Sequence, residues 1–106
     1  MHFSSAFIAS LLAATSVLAA IPVTIFDFPH GRGGFITLNL QPGVCKTLEN
    51  DWKNRISSFS KPRGRTCRIY DKISCQGESR TYDGDQALIC SLNKELANDV
   101  NSIKCW

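Results

Sequence analysis

Two patterns of apolar residues divide this chain of 106 residues. Residues 1–20 contain no Lys, Arg, Asp or Glu and 14 of the 20 are hydrophobic, so every strongly charged residue lies after them. A short apolar run that ends in small residues, here Ala19 and Ala20, is typical of a secretory signal peptide. Serine and threonine interrupt this run, whereas a membrane-spanning helix needs about 20 predominantly apolar residues. We therefore predict a signal peptide over residues 1–20, cleaved after Ala19 or Ala20, with an extracellular location and no transmembrane segment.

The remaining 86 residues alternate short apolar runs with turns. The runs are rich in β-branched and aromatic residues and are separated by Gly-rich or Pro-containing stretches, which is typical of antiparallel strands. Residues 48–54 and 93–98 each suit one helical turn, and residues 92–97 are the better candidate. The pattern predicts eight strands, at residues 22–26, 35–38, 44–47, 56–60, 66–70, 78–82, 88–91 and 102–105.

The two halves of this region repeat each other. At an offset of about 44, and with one residue of drift before the last pair, the halves align Phe26 with Tyr70, Gly33 with Gly77 and Ser57 with Ser102. A period of this length indicates two copies of one supersecondary unit. The copies join in the polar stretch 60–65. Two sets of four short antiparallel strands favour a Greek-key sandwich.

Five cysteines follow the signal peptide. In an oxidising compartment they are expected to form disulfides. A zinc site needs closely spaced ligand pairs, and the shortest cysteine spacing, from Cys67 to Cys75, is too wide for one. Because the number is odd, at most two bridges form and one thiol is left over. The spacing alone leaves the connectivity open.

The repeated residues resemble the Greek-key motif of the βγ-crystallin-like family. That motif reads aromatic, four residues, aromatic, one residue, glycine, with a serine some two dozen residues later. In the family the glycine adopts a positive φ where the hairpin between the first two strands folds over the sheet, and the serine hydroxyl fixes that hairpin. The second aromatic is absent from both copies, since Gly31 and Cys75 stand in its place. The motif residues are Phe26, Gly33, Ser57, Tyr70, Gly77 and Ser102.

The resemblance implies an all-β domain over residues 21–106, a disulfide-bonded Greek-key sandwich of two four-stranded antiparallel sheets. Greek key 1 covers about 22–61 and Greek key 2 about 65–106. If the four strands of each copy are lettered a to d, each sheet contains strands b, a and d of one copy and strand c of the other.

The family template also suggests a disulfide pairing. It places Cys67 and Cys105 on neighbouring strands at inward-facing positions, and it allows Cys75, at the hairpin tip, to reach Cys90 on its own strand c. Cys45 is then unpaired. The alternative is a Cys45–Cys105 bridge, because strand c of the first copy also neighbours the strand that carries Cys105.

Many family members bind calcium through a segment Asn/Asp-Asn/Asp-x-x-Ser/Thr-Ser in each motif, completed by oxygens from the other motif's hairpin. The resemblance places these segments at residues 53–58 and 98–103, with possible ligands Asn54, Ser57, Asp99 and Ser102. Calcium takes six to eight oxygen ligands and favours carboxylates, yet Lys53 and Arg55 lie in the first segment and Ile103 ends the second. The alternative is that both segments only lead into strand d. No cofactor is required, and calcium is the possible one.

Positive charge is concentrated near the junction of the repeats. The chain has 12 Lys and Arg against 9 Asp and Glu, a formal net charge of +3, and half of the basic residues fall within residues 53–68, which contain no acid. Such a cluster attracts anionic partners such as a cell wall or a membrane surface, although charge runs also occur in solvated loops. Nucleic acid is disfavoured because no stacking aromatics interleave the charges. The basic cluster consists of Lys53, Arg55, Lys61, Arg63, Arg65 and Arg68.

Catalysis has little support in the sequence. His30 is the only histidine after residue 20, and neither a Gly-x-Ser-x-Gly elbow nor a phosphate-binding loop is present. We predict that the protein is not an enzyme. The favoured hypothesis is a secreted cationic interaction protein, similar to the killer toxins and the protease inhibitor of the family, that acts as an antimicrobial, effector or inhibitor on a cell-surface target or a target protein. The alternative is a structural or weakly calcium-binding module of a wall or spore coat.

Overall fold

A computed structural model describes residues 19–92 and 96–106 of the chain. The predicted signal peptide lies outside the described residues except for Ala19 and Ala20, and so does the centre of the predicted turn at 92–97. Within the described ranges, no helix has the length and apolar character needed to cross a membrane.

Eight strands correspond to the eight predicted apolar runs. The predicted helical turn at 48–54 is a single 3-10 turn at Asn50–Trp52, and two further 3-10 turns form the hairpin tips at Pro29–Gly31 and Ile73–Cys75. The strands are β1 Ile21–Phe28, β2 Arg32–Leu40, β3 Lys46–Thr47, β4 Ser58–Ser60, β5 Cys67–Tyr70, β6 Ser79–Tyr82, β7 Leu88–Ile89 and β8 Ser102–Cys105.

The strands form two four-stranded antiparallel sheets that exchange one strand. Sheet I has the order β2-β1-β4-β7 and sheet II the order β3-β8-β5-β6. Strands β3 and β7 are the third strands of the first and second repeats, so each repeat supplies its third strand to the sheet of the other. The predicted fold class and the exchange of strand c are confirmed.

Alternation along the strands sends every second side chain into the space between the sheets. In β1, Ile21, Val23 and Ile25 are fully buried, while the intervening residues are not. Phe59 of β4 is also fully buried and meets Tyr82 edge to face, with ring centroids 5.3 Å apart. Burial raises the pKa of the Tyr82 phenol above its ordinary value, and nearby Arg80 partly offsets the effect.

The two hairpin tips have the same backbone conformation at positions 44 residues apart. His30 and Ser74 have φ of 63° and 59°, and the residues that follow them, Gly31 and Cys75, have φ of 68° and 55°. A left-handed conformation is uncommon for a residue other than glycine. Cys75 therefore adopts at the second tip the backbone conformation that glycine supplies at the first, and His30 is an exposed tip residue.

One of the two predicted disulfides is correct and the other is wrong. The structure joins Cys67 to Cys105, as the template implied, but joins Cys75 to Cys45, and leaves Cys90 free and exposed. The exchange of third strands is the reason. The segment with Cys45 leads into β3 beside the second hairpin, whereas Cys90 follows β7 in the other sheet, where its carbonyl accepts a hydrogen bond from the His30 amide.

This connectivity predicts the outcome of peptide mapping without reduction. Digestion of the oxidised protein is expected to give one fragment pair containing Cys45 and Cys75 and another containing Cys67 and Cys105. Alkylation of the native protein is expected to modify Cys90 alone, because it is the exposed free thiol among the described residues. Recovery of a Cys75–Cys90 pair would contradict this arrangement.

Candidate functional site

The serine that fixes the first hairpin is Ser58, one residue after the predicted Ser57. The Ser58 hydroxyl donates to the Phe28 carbonyl at 2.6 Å and accepts from the Gly31 amide at 3.0 Å. Ser102 makes the same pair of contacts in the second repeat, with the Lys72 carbonyl and with the Cys75 amide at 2.9 Å. The offset of 44 therefore holds to the end of the repeat without drift, and the motif role given to Ser57 is wrong.

The motif glycines lie directly against a carboxylate. Gly33 and Gly77 have φ of +83° and +85°, and a Cβ at either position would overlap the Oδ1 atom of Asp27 or Asp71. Both Oδ1 atoms are buried and have no hydrogen-bond partner among the residues that the structure describes. The glycine is needed at each position for its backbone conformation and for the space that the carboxylate occupies.

The constant offset of 44 also shifts by one residue the second segment that was compared with the calcium-binding sequence, from 98–103 to 97–102. With Ser58 and Ser102 as equivalent last residues, the segments are 53–58 and 97–102, which we name connection 1 and connection 2. Their second residues, Asn54 and Asn98, both have positive φ, at 59° and 63°. Their backbones also cross-bond in the same way, since Asn54 N–H donates to the Val100 carbonyl and Asn98 N–H to the Ile56 carbonyl.

Three of the four proposed calcium ligands make separate hydrogen bonds. The Ser57 hydroxyl donates to Asn98 Oδ1 at 3.1 Å, while Asn54 Oδ1 accepts from Asn101 Nδ2 at 3.0 Å. The hydroxyl of Ser102 is engaged by the hairpin, and Asp99 is exposed. Within residues 19–92 and 96–106, no group of three or more His, Cys, Asp or Glu side chains could hold a metal ion.

The predicted basic cluster is divided in the folded chain. Lys61 is buried, and its Nζ donates to the Gly84 carbonyl at 3.0 Å, so it is not part of a charged surface. Arg55 pairs with Asp27 at 3.1 Å. Arg63, which lies beyond the other end of β4, donates to the Asp85 carbonyl at 2.8 Å. The structure therefore removes Lys61 from the predicted basic cluster, whereas Arg55 and Arg63 remain exposed.

The other three members of the cluster, Lys53, Arg65 and Arg68, keep at least part of their surface in solvent. Of these, Arg68 lies on a strand, and the residue opposite it is also basic. Pairing of β5 with β8 aligns the buried residues Cys67 with Cys105 and Ile69 with Ile103, so Arg68 and Lys104 lie side by side on the outer face of sheet II.

An exposed tryptophan extends this pair of cations. The ammonium of Lys104 lies 5.6 Å from the ring centroid of Trp106, which is 44% exposed. Val44 is 55% exposed and follows Gly43, which packs near the Trp106 ring. In the part of the chain that the structure describes, neither Arg68 nor Lys104 forms a salt bridge. We name Arg68, Lys104 and Trp106 the cationic face.

Comparison with solved structures gives the same architecture. A βγ-crystallin domain from Clostridium beijerinckii superposes with a TM-score of 0.65 at 22% identity, over 80% of this chain and 97% of that one. The N-terminal domain of protein S gives 0.63 at 26% identity, over 80% and 94%. A βγ-crystallin domain from Flavobacterium johnsoniae gives 0.62 at 20% identity, over 79% and 92%. The chain has the βγ-crystallin fold.

This finding confirms the resemblance to the βγ-crystallin-like family. No protein-family model and no curated protein matches the chain. A double mutant of clostrillin was solved in complex with nickel. In the present βγ-crystallin-like chain the residues do not fit a calcium site, because calcium needs six or more oxygen ligands, whereas the Asn54 and Ser102 oxygens accept hydrogen bonds from protein donors and the Ser57 hydroxyl donates to Asn98.

Sequence reasoning missed three features of this βγ-crystallin-like domain. Ser58 was hidden by an assumed drift of one residue, although the constant offset of 44 already aligns it with Ser102. Asn101 was not among the residues proposed as calcium ligands. Lys104 was overlooked because it is far from Arg68 in sequence, yet the predicted pairing of Cys67 with Cys105 on inward-facing positions already placed both cations outward and adjacent.

Proposed function

We propose that this protein is a secreted, non-enzymatic interaction protein that binds the anionic lipid headgroups of a target membrane through its cationic face. The observation that carries the proposal is the direct pairing of Arg68 with Lys104 on adjacent strands, with Trp106 beside them. Export is supported by the apolar run over residues 1–20 and by two disulfides in a small domain.

The pairing of two cations has a free-energy cost that an anionic partner removes. Like charges directly opposite each other on neighbouring strands destabilise a sheet. The Arg68 Nε donates to Thr81 Oγ1 at 2.9 Å, which orients the guanidinium but leaves its charge unbalanced. A phosphate headgroup between the two side chains would balance both charges, and each basic residue near an anionic membrane contributes about 1 kcal/mol of attraction.

The apolar part of the face suits the same partner. Tryptophan concentrates at the boundary between headgroups and acyl chains because its ring is apolar and its N–H is polar. Trp106 is exposed beside Lys104, and Val44, which follows the Gly43 that packs near the Trp106 ring, is exposed as well. Apolar side chains next to unpaired cations are the combination that a negatively charged membrane surface recognises.

Sedimentation with lipid vesicles tests the proposal. The oxidised mature protein is expected to bind vesicles of phosphatidylcholine with 30% phosphatidylglycerol (roughly the composition that gives a clear negative surface potential) more strongly than vesicles of phosphatidylcholine alone. The double variant Arg68→Gln/Lys104→Gln is expected to bind the anionic vesicles about 10- to 30-fold more weakly, from two contributions of about 1 kcal/mol each.

The matched control removes the same charge elsewhere. Arg32→Gln/Lys53→Gln also lowers the net charge by two, but neither position lies in a strand of sheet II. Because salt screens charges that are far from the cationic face, binding is expected to weaken less than about threefold. If the two double variants lose the same amount of vesicle binding, net charge alone accounts for the effect. If the protein binds a soluble acidic polysaccharide but not anionic vesicles, the target is a wall polymer and not a membrane. If it binds neither, the proposal is refuted.

A further inference from the structure

Side-chain amides hold connections 1 and 2 together. Asn54 of connection 1 contacts Asn101 of connection 2, and Asn98 of connection 2 contacts Ser57 of connection 1. At the constant offset of 44, Asn54 is equivalent to Asn98 and Ser57 to Asn101, so the two contacts are related by the internal pseudo-symmetry of the domain. The chemistry at the two related places is nevertheless different.

At the second place one nitrogen is surrounded by oxygens. Asn101 Nδ2 lies 2.6 Å from the Asp71 carbonyl, 3.0 Å from Asn54 Oδ1 and 3.5 Å from the Asp99 carbonyl. These oxygens come from the residue that follows β5, from connection 1 and from connection 2. Three oxygens that converge on one point repel one another unless a positive group lies between them, since each carries a partial negative charge.

The donor at that point is a neutral amide. An Asn side chain carries two N–H donors and one carbonyl acceptor, so its two hydrogens satisfy the two nearer oxygens. Its own Oδ1 is buried, as is the Oδ1 of Asp71, and within residues 19–92 and 96–106 neither atom has a hydrogen-bond partner. The cluster is therefore rich in oxygen and short of donors.

At the related place in the first repeat the donor is the Ser57 hydroxyl, which donates to Asn98 Oδ1 at 3.1 Å. Arg55, the equivalent of Asp99, lies beside this place: its Nη2 lies 3.1 Å from Asp27 Oδ2, and its Nη1 donates to the Asp51 carbonyl at 2.9 Å. In both repeats a side-chain donor of one connection thus contacts the amide oxygen of the other connection.

We propose that the amide of Asn101 takes the place of a bound cation in the second repeat, so that this domain is held together without calcium. The proposal follows from the misfit between these residues and a calcium site. The Asn101 amide is part of the chain, so the contacts between these segments need no ion from the medium. The domain would keep its stability in a calcium-free environment, where a calcium-dependent relative would lose it.

Thermal unfolding of the oxidised mature protein tests the proposal. The Tm is measured in chelator and in 5 mM calcium chloride, which is roughly ten times the Kd of a weak extracellular site. The unsubstituted protein is expected to have the same Tm in both media. Asn101→Asp replaces the donor by a carboxylate oxygen at the centre of the cluster. This variant is expected to unfold at a lower temperature in chelator, and calcium is expected to raise its Tm by roughly 5 °C or more.

Two further variants keep the test decisive. Asn39→Asp makes the same chemical change at an exposed position on β2, and its Tm is expected not to respond to calcium. If Asn101→Asp does not fold in chelator, Asn101→Ser removes the amide without adding charge and is expected to gain a smaller calcium response. A Tm of the unsubstituted protein that rises in calcium would overturn the proposal. So would an Asn101→Asp protein that is fully stable in chelator, or a failure of calcium to stabilise both Asn101→Asp and Asn101→Ser.

Discussion

Replacing both Cys67 and Cys105 by alanine is expected to lower the free energy of unfolding by about 5 kcal/mol. The disulfide closes a sequence separation of 38 residues, and restricting the unfolded chain to a loop of that length contributes about 4 kcal/mol. Both cysteines are also fully buried between the sheets, so losing their sulfur atoms adds about 1 kcal/mol of lost packing. Guanidinium denaturation of the oxidised proteins measures the difference.

The second disulfide supplies the matched comparison. Cys45 and Cys75 close a similar separation of 30 residues but are only partly buried. The variant Cys45→Ala/Cys75→Ala is therefore expected to lose about 3.5 kcal/mol, nearly all of it from the same loop effect. If the two double variants lose equal stability, burial of the Cys67–Cys105 bridge contributes nothing. If neither loses more than about 1 kcal/mol, the loop account fails for this domain.

Gly77→Ala is expected to destabilise the domain by about 3 kcal/mol, because it combines two costs. The first is the positive φ of +85°, which costs a residue with a Cβ about 1 kcal/mol. The second is steric, since the added Cβ would overlap Asp71 Oδ1 and lie 2.8 Å from Lys72 Cγ, and overpacking of this kind costs about 1–3 kcal/mol. The measurement is the midpoint of thermal or denaturant unfolding.

Gly64 separates the two costs. It has a similar φ of +79°, but no atom lies within 4 Å of a Cβ built there. Gly64→Ala is expected to cost only the backbone contribution of about 1 kcal/mol. Equal losses at Gly77 and Gly64 would show that the carboxylate moves aside freely and that the close packing of glycine on aspartate is not required.

Local patterns in the sequence were sufficient to predict the strands and the repeat. Strand alternation and turn residues act over a few positions, so eight runs and the hairpin glycines were identifiable without knowing what they pack against. The repeat then implied the exchange of third strands through the family resemblance. The candidate site was predicted less well, because its residues are brought together from distant segments.

The chain by itself determined that it forms two copies of one Greek-key unit, with Phe26 and Gly33 in the first and Tyr70 and Gly77 in the second. Only the tertiary structure decided which atoms meet between the copies. It paired Cys75 with Cys45, because the exchanged third strand carries Cys45 to the second hairpin. Likewise it placed Asn101 against Asn54. The physical reason is that the hydrophobic pattern fixes which face of a strand is buried, whereas contacts between distant segments depend on how the two sheets are assembled.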